Sequence, residues 1–223
     1  IIPFSSDRKY SGAVFDGETF IIGAPEFVLK SSFEKYAQMV NEEANKGYRV
    51  LCLASTKQDL VKGKLSRPPK PIAFILIEDQ IRPEASETIR YFRESGVEVK
   101  VISGDNPVTV SEVAKRVGIA SAENYISLDG LTDDEVYDAA LKYTVFGRVK
   151  PNQKQIIVRS LKNHKKTVAM TGDGVNDILA MKESDCSVAM ASGSDAAKNV
   201  AHLVLLDSNF ANMPKVVLEG RRV

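Results

Sequence analysis

Short apolar segments in the first third of the chain predict strands that alternate with helices. Two predicted strands, at 11–15 and 19–23, flank the Asp16-Gly17 pair, which is typical of hairpin turns with positive φ. A capping box of Ser31 and Glu34 predicts a helix that continues to about residue 46. Together with predicted strands at 48–54 and 72–77, this pattern indicates a mixed α+β unit.

From residue 82 onward, apolar strands alternate strictly with amphipathic helices. Such alternation is typical of a parallel sheet that is covered by helices on both faces. The functional loops of such sheets lie at the carboxyl ends of the strands. The pattern predicts strands at 97–102, 144–146, 167–170, 187–190 and 203–206, and helices at 83–96, 107–118, 151–163 and 175–182, with two more beginning near 132 and 210.

The composition adds limits to this picture. The 223 residues carry a net charge of only +1, so nucleic acid is not an expected partner. Cys52 and Cys186 are far apart and flanked by apolar residues, which predicts reduced thiols. The sequence contains no apolar run long enough to cross a membrane and no signal peptide, so we expect a soluble segment.

Three segments at predicted strand ends carry candidate chemistry. Ser103-Gly104-Asp105 and the stretch from Thr171 to Asp177 each follow a strand, and Lys154 lies in the first turn of a helix between them. A small hydroxyl beside glycine lets backbone amides approach a phosphoryl oxygen, and lysine neutralises its charge. Asp173 and Asp177 offer the oxygen ligands that Mg²⁺ prefers. Each segment alone is also compatible with an ordinary turn or a solvated lysine.

The order of these segments resembles the haloacid dehalogenase superfamily and, more narrowly, the P-type cation-transporting ATPases. The resemblance covers essentially the whole chain, and residues 178–179 and 186–194 are similar to a bacterial branch associated with calcium. Its motifs are Thr171-Gly-Asp-Gly-Val-Asn-Asp177, Phe146-Gly-Arg-Val-Lys-Pro-Asn-Gln-Lys154, Phe4-Ser-Ser-Asp-Arg-Lys9, Gly23-Ala-Pro-Glu26 and Tyr48-Arg49.

The resemblance implies a fold and two domains. The fold would be α/β, a haloacid dehalogenase-like parallel sheet with helices on both faces, plus part of an α+β nucleotide-binding domain. Residues 1–78 would be the C-terminal part of that nucleotide-binding domain, and residues 79–223 the phosphorylation domain without its first strand. A hinge would lie at 79–82, and a stalk helix would begin within 210–223.

The resemblance also implies roles for single residues, with ATP and Mg²⁺ as cofactors. Ser103 and Lys154 would hold the transferred phosphoryl group, and Asp173 would bind Mg²⁺ with Asn176 and Asp177 ordering that site. The implied ATP contacts are Phe4 at the adenine, Lys9 near the base and phosphates, Arg49 near the β-phosphate, and Asp105 and Arg148 near the ribose. The residues alone leave Phe4 open between core packing and stacking, and Arg49 and Arg148 open between structural and ligand roles.

The family's acceptor motif, Asp-Lys-Thr-Gly-Thr, does not occur in this chain. The resemblance therefore implies an inactive segment whose partners are ATP and the rest of its own polypeptide, including transmembrane helices. The parent would be a cation pump in a bacterial plasma membrane, with this segment in the cytoplasm. Two alternatives stay open at this point: a free-standing phosphatase, which would need an Asp-x-Asp nucleophile near its N-terminus, and a regulatory protein that has lost its nucleophile.

Overall fold

The computed structural model describes residues 1–5, 8–57, 65–78 and 80–222. The chain divides into two compact units, Ile1–Gln80 and Ile81–Val223. Asp79, within the predicted hinge, lies outside the described residues, as do positions 6 and 7 of the first motif. Among the described residues, no helix has the length and apolar character needed to cross a membrane.

The first unit is a four-stranded antiparallel sheet in the order β1-β2-β3-β4, with two helices. One face packs on a core that includes Tyr10, Ile21, Leu29 and Cys52. Burial raises the pKa of the Cys52 thiol to about 11, and both Cys52 and Cys186 are free. The elements are β1 (Tyr10–Phe15), β2 (Glu18–Gly23), α1 (Pro25–Leu29), α2 (Glu34–Asn45), β3 (Tyr48–Thr56) and β4 (Lys70–Glu78).

Local backbone conformation explains why one prediction in this unit is confirmed and another is wrong. The hairpin prediction is confirmed, because Asp16 and Gly17 adopt φ values of 47° and 76° between β1 and β2. The prediction of a capping box at Ser31 and Glu34 is wrong. Phe33, immediately before α2, is already helical at φ −61° and ψ −36°, since a 3₁₀ turn at Lys30–Ser32 leads into the helix. An extended N-cap residue is therefore absent at this helix start.

Strand β4 forms an edge of the first sheet and is unusually exposed. It pairs with β3 on one side through the register Tyr48↔Glu78 to Ser55↔Lys70. Ile72, Leu76 and Ile77 along it are all exposed to solvent. A long apolar edge strand is a surface that proteins normally cover.

The second unit is built from short parallel strands and helices. Its strands are β5 (Val101–Ile102), β6 (Tyr125–Ser127), β7 (Val145–Gly147), β8 (Ala169–Gly172), β9 (Cys186–Met190) and β10 (Leu203–Leu205). Its helices are α3 (Ala85–Glu94), α4 (Pro107–Val117), α5 (Asp133–Lys142), α6 (Pro151–Asn163), α7 (Ile178–Glu183), α8 (Asp195–Val200) and α9 (Met213–Gly220).

These strands form two parallel half-sheets, β6-β7-β5 and β8-β9-β10. Helices cover both faces of each half-sheet. Phe146 of β7 packs with α5 and α6, while Val145 packs with α4. Ala189 of β9 packs with α7 and α8, while Val188 packs with α3 and α9. The predicted fold class, a parallel sheet between helices, is confirmed.

The two half-sheets are incompletely buried where they face each other. The central strands β7 and β9 are buried, as expected for parallel sheets. By contrast, both residues of β5 are only half-buried, and Ala169 of β8 is exposed. Ile102 nevertheless packs against the cores of both half-sheets. Strands β5 and β8 are therefore neighbouring open edges.

Several element boundaries differ from the predictions. The predicted strand 97–102 shrinks to Val101–Ile102, because Val97 N–H donates to the Phe92 carbonyl and closes the end of α3. The predicted helix 175–182 begins with a 3₁₀ turn at Val175–Asp177. Strand β6 was not predicted. The cap at Thr132 is confirmed, with Glu135 completing a capping box.

Candidate functional site

The predicted loops lie directly at strand ends. Ser103 follows β5, and Asp173 follows β8, so both occupy the carboxyl ends of parallel strands. Asp173 is exposed, and Ser103 is half-buried. This is the edge of the sheet at which α/β proteins place ligands.

Lys154 and Asp177 form a largely buried ion pair between α6 and the loop after β8. Lys154 Nζ lies 2.7 Å from Asp177 Oδ1, and the two side chains are only 16% and 9% exposed. Pro151 begins α6, and the Gln153 side chain accepts from Lys150 N–H, which fixes the turn that carries Lys154. A buried pair is favourable only when its remaining hydrogen-bonding capacity is satisfied.

The second carboxylate oxygen of Asp177 is also hydrogen-bonded, because it holds its own loop. Asp177 Oδ2 accepts from the backbone N–H groups of Gly174 at 3.1 Å and Asp173 at 3.3 Å. The approach is close enough that a Cβ on Gly172 would lie 2.5 Å from the Asp177 Cβ. The carboxylate of Asp177 therefore links Lys154 to the backbone that carries Asp173.

The loop after β5 is held from the segment between β7 and α6. The Ser103 carbonyl accepts from Val149 N–H at 3.0 Å, and the Asp105 carbonyl accepts from Arg148 N–H at 2.9 Å. The Arg148 guanidinium donates to the Gly104 carbonyl at 3.2 Å. Arg148 is buried and has a φ of 54°. Because α6 begins just beyond this segment, one run of chain connects the Ser103 loop to Lys154.

The two acidic residues after β8 differ in their availability to a metal. The Asp177 carboxylate is buried and bonded to Lys154 and two amides, whereas the Asp173 carboxylate is exposed. Within the described ranges, no group of three or more His, Cys, Asp or Glu side chains could hold a metal. One exposed carboxylate fits Mg²⁺, which keeps several waters and is commonly completed by phosphate oxygens. Asn176 is exposed beside it.

The structure places the predicted nucleotide contacts of the first unit at its surface. The Phe4 side chain is 65% exposed, so it is not a core residue. Arg49 is exposed on β3, opposite Ile77 of β4. Lys9 has a φ of 57°, and its carbonyl accepts from Ala24 N–H at 3.0 Å. This bond joins the two motifs that begin at Phe4 and Gly23.

Sequence reasoning missed one contributor, the turn before α8. Ser194 N–H donates to the Asp173 carbonyl at 2.7 Å, while its hydroxyl accepts from Ala197 N–H and caps α8. Gly193 packs so closely that an added Cβ would lie 2.6 Å from the Asp173 carbonyl oxygen. The serine preceding Asp195 is a recognisable N-cap signal. Its second contact, to Asp173, depends on the folded arrangement.

Comparison with known proteins identifies relatives along the whole chain. A sequence model of the haloacid dehalogenase-like hydrolases matches residues 8–185. The chain is 44% identical over 225 residues to a probable cation-transporting ATPase, exp7, of Streptococcus pneumoniae. It is 44% identical over 222 residues to the calcium-transporting ATPase CtpE of Mycobacterium tuberculosis, and 33% identical over 250 residues to the cation-transporting ATPase pma1 of Synechocystis.

These three alignments cover 99–100% of this chain but only 28% of each relative. The chain thus spans little more than a quarter of the length of the ATPases it matches. The family match includes the candidate residues Ser103, Lys154, Asp173 and Asp177. The chain therefore belongs to the haloacid dehalogenase-like hydrolase family.

Proposed function

We propose that the chain is the cytoplasmic nucleotide-binding and phosphorylation segment of an ATP-driven cation pump of the P-type class. The observation that carries the proposal is the assembled cluster at the strand ends, in which Lys154 and Asp177 pair beside the exposed Asp173. Similarity to three cation-transporting ATPases over almost the whole chain supports the same class.

In this proposal the cluster handles a phosphoryl group. Ser103 and its neighbouring amides would contact phosphoryl oxygens, and Lys154 would neutralise their charge. Asp173 would bind Mg²⁺, which supplies charge neutralisation when bound. Asp177 would act mainly by positioning, because its carboxylate already joins Lys154 to the loop. Asn176 would complete the polar surroundings of Asp173.

The acceptor carboxylate would come from a strand that the parent inserts between β5 and β8. Both strands have an open edge, and Ala169 of β8 is exposed where a continuous parallel sheet would bury it. A strand in this position would end beside both Ser103 and Asp173. We propose that it carries the Asp-Lys-Thr-Gly-Thr motif that this sequence lacks.

The first unit would bind the nucleotide. Phe4 is exposed as a stacking platform must be, with Lys9 and Arg49 proposed to supply positive charge. Asp105 and Arg148 are proposed to face the ribose, although the bond from Arg148 to Gly104 favours support of the loop. The exposed apolar edge of β4 would be covered by the rest of the nucleotide-binding domain.

The proposed boundaries place the nucleotide-binding part at 1–78 and the phosphorylation domain at 79–223, with the hinge at 79–82. The terminal helix α9, within 210–223, would continue as a stalk towards the membrane of a bacterial cell. The transported ion would be selected by parts of the parent outside this chain. The name of the mycobacterial relative makes calcium the first ion to test in the parent.

Magnesium binding tests the strand-end site in the chain itself. With one exposed carboxylate available, we expect Mg²⁺ to bind weakly alone and more tightly when inorganic phosphate is present. Isothermal titration calorimetry of the chain should show that Asp173→Asn removes the enhancement. Asp129→Asn, at another exposed aspartate that follows a strand, should leave it unchanged. Submicromolar Mg²⁺ affinity without phosphate would contradict the proposal.

A further inference from the structure

Helices α3 and α4 of the second unit line a groove that shares no residue with the strand-end cluster. Its volume is about 400 Å³, and it is open to solvent, because Glu87, Arg90 and Arg93 are exposed. One wall is a face of α3 that includes Ser86, Glu87, Arg90 and Arg93. The other wall is the last turn of α4, with Arg116.

The helical spacing of α3 explains how these charges share one wall. Glu87, Arg90 and Arg93 follow one another at three-residue intervals and so project from neighbouring positions of the helix. Thr88 and Phe92 point the other way and are buried against the sheet. Helix α4 ends at Gly118 in the left-handed conformation, φ 86°, which places its last turn at the edge of the groove.

The groove concentrates positive charge. The lining includes the three arginines Arg90, Arg93 and Arg116 and one acidic residue, Glu87, and Arg116 also has an interaction partner of its own. The guanidinium groups of Arg90 and Arg93 make no hydrogen bond or ion pair with any residue that the structure describes. Cations of like sign repel one another, and a bound anion removes that repulsion.

Backbone N–H groups already bond several of the terminal carbonyls at the ends of both helices, so the guanidinium groups of Arg90 and Arg93 are not used as caps. Basic residues often lie at helix C-termini, where they neutralise unsatisfied carbonyls. At the end of α3, Ser95, Gly96 and Val97 already donate their N–H groups to the carbonyls of Tyr91, Phe92 and Arg93. At the end of α4, Gly118 and Ile119 donate to Ala114 and Lys115 in the same way.

We propose that this groove binds a small, multiply charged anion of the phosphate class, such as a diphosphate or a phosphate ester. Guanidinium groups match phosphate oxygens through paired N–H donors, and their concave arrangement suits a compact ligand more than a flat protein surface. The Glu87 carboxylate in the same wall repels anions and so lowers the affinity. The inference is independent of the proposed function, because no strand-end residue takes part.

Nuclear magnetic resonance titration of the ¹⁵N-labelled chain with pyrophosphate tests this site, because the amides that shift show where the anion binds. Saturable shifts are expected at the amides of residues 86–93 and 116–118. Arg90→Ala and Arg93→Ala should each weaken this binding about ten-fold, the usual effect of losing one charge-assisted hydrogen bond. Glu87→Gln should strengthen it. Arg159→Ala, an exposed arginine of the same unit outside the groove, is the matched control and should change nothing.

Pyrophosphate that binds at the strand-end cluster would shift the amide signals of residues 103–105 and 171–177 instead, so the two sites can be told apart in the same titration. Absence of saturable shifts in the groove, or equal affinities in all four variants, would overturn the proposal. Two further arms distinguish the source of the anion. Tighter binding of a hexa-aspartate peptide than of pyrophosphate would make the groove a protein-docking surface, and binding only to vesicles containing phosphatidylinositol phosphates would make it a membrane contact. Either result would also reject the small-anion site.

Discussion

The two units of the chain hold their candidate ligand-binding side chains in different ways. In the second unit, the side chains of Lys154 and Asp177 are bonded to each other, and the Asp177 carboxylate also accepts from two backbone N–H groups. In the first unit, Phe4 and Arg49 are exposed at the surface. The strand-end cluster is therefore held in place by bonds within the fold, whereas the proposed nucleotide contacts Phe4 and Arg49 lie at the surface.

This difference in burial affects what each group contributes to stability. Buried polar groups must be satisfied by the protein, so the strand-end cluster contributes to stability as well as to the proposed chemistry. Exposed groups make no such demand. Substitution of the buried Asp177 should consequently change folding and binding together, and substitution of the exposed Phe4 should change binding alone.

The largest expected effect is at the buried ion pair. Asp177→Ala leaves Lys154 without its partner and two amides without their acceptor, and breaking such a pair typically costs about 3–5 kcal/mol of unfolding free energy. Asp173→Ala, four residues earlier, removes an exposed carboxylate and should cost less than about 0.5 kcal/mol. Urea unfolding of both variants measures the contrast, and equal losses would mean that the pair does not organise the site.

Two glycines of the same loop sharpen the comparison. A Cβ at position 172 would lie 2.5 Å from the Asp177 Cβ, so Gly172→Ala should cost about 1–3 kcal/mol through overpacking. Gly174 has a φ of −111° and its nearest contact would be Asp177 Oδ2 at 3.6 Å, so Gly174→Ala is the matched control. Thermal melting should show a lower melting temperature for Gly172→Ala than for Gly174→Ala. An unchanged melting temperature of Gly172→Ala would mean that the loop can shift to accept the added Cβ.

The smallest expected effect on stability is at Phe4. Because its ring is exposed, Phe4→Ala should change unfolding by less than about 0.5 kcal/mol. Loss of base stacking should weaken ATP binding by a factor of roughly 5 to 150 in the full-length parent. Phe15→Ala, at a phenylalanine that is 63% exposed in the same unit, should leave ATP affinity unchanged. Equal effects of the two substitutions would remove Phe4 from the proposed pocket.

Features fixed by neighbouring residues could be predicted from the sequence. The Asp16-Gly17 turn and the Thr132 cap follow from local backbone preferences, and both are present. The alternation of strands and helices also placed Ser103 and Asp173 at strand ends, where they lie. The prediction of a cap at Ser31 is wrong, because Ser31 lies in a 3₁₀ turn that runs into α2 without an extended residue between them.

Features that depend on distant partners could not be predicted. The division of the second sheet arises from open edges at β5 and β8, which no local pattern reveals. The role of Asp177 as a link between Lys154 and the Gly174 amide required both segments to meet in space. The contact of Ser194 with Asp173 is of the same kind.

Formation of a phosphoenzyme tests the central proposal most directly, namely that the chain holds a phosphoryl-transfer site whose acceptor lies elsewhere in the parent. The chain alone and a longer polypeptide of the parent that includes the proposed acceptor strand would each be incubated with Mg²⁺ and γ-labelled ATP, then quenched in acid. We expect acid-stable label on the longer polypeptide, lost when its acceptor aspartate is replaced by asparagine, and none on the chain. Stoichiometric labelling of the chain itself would contradict the account.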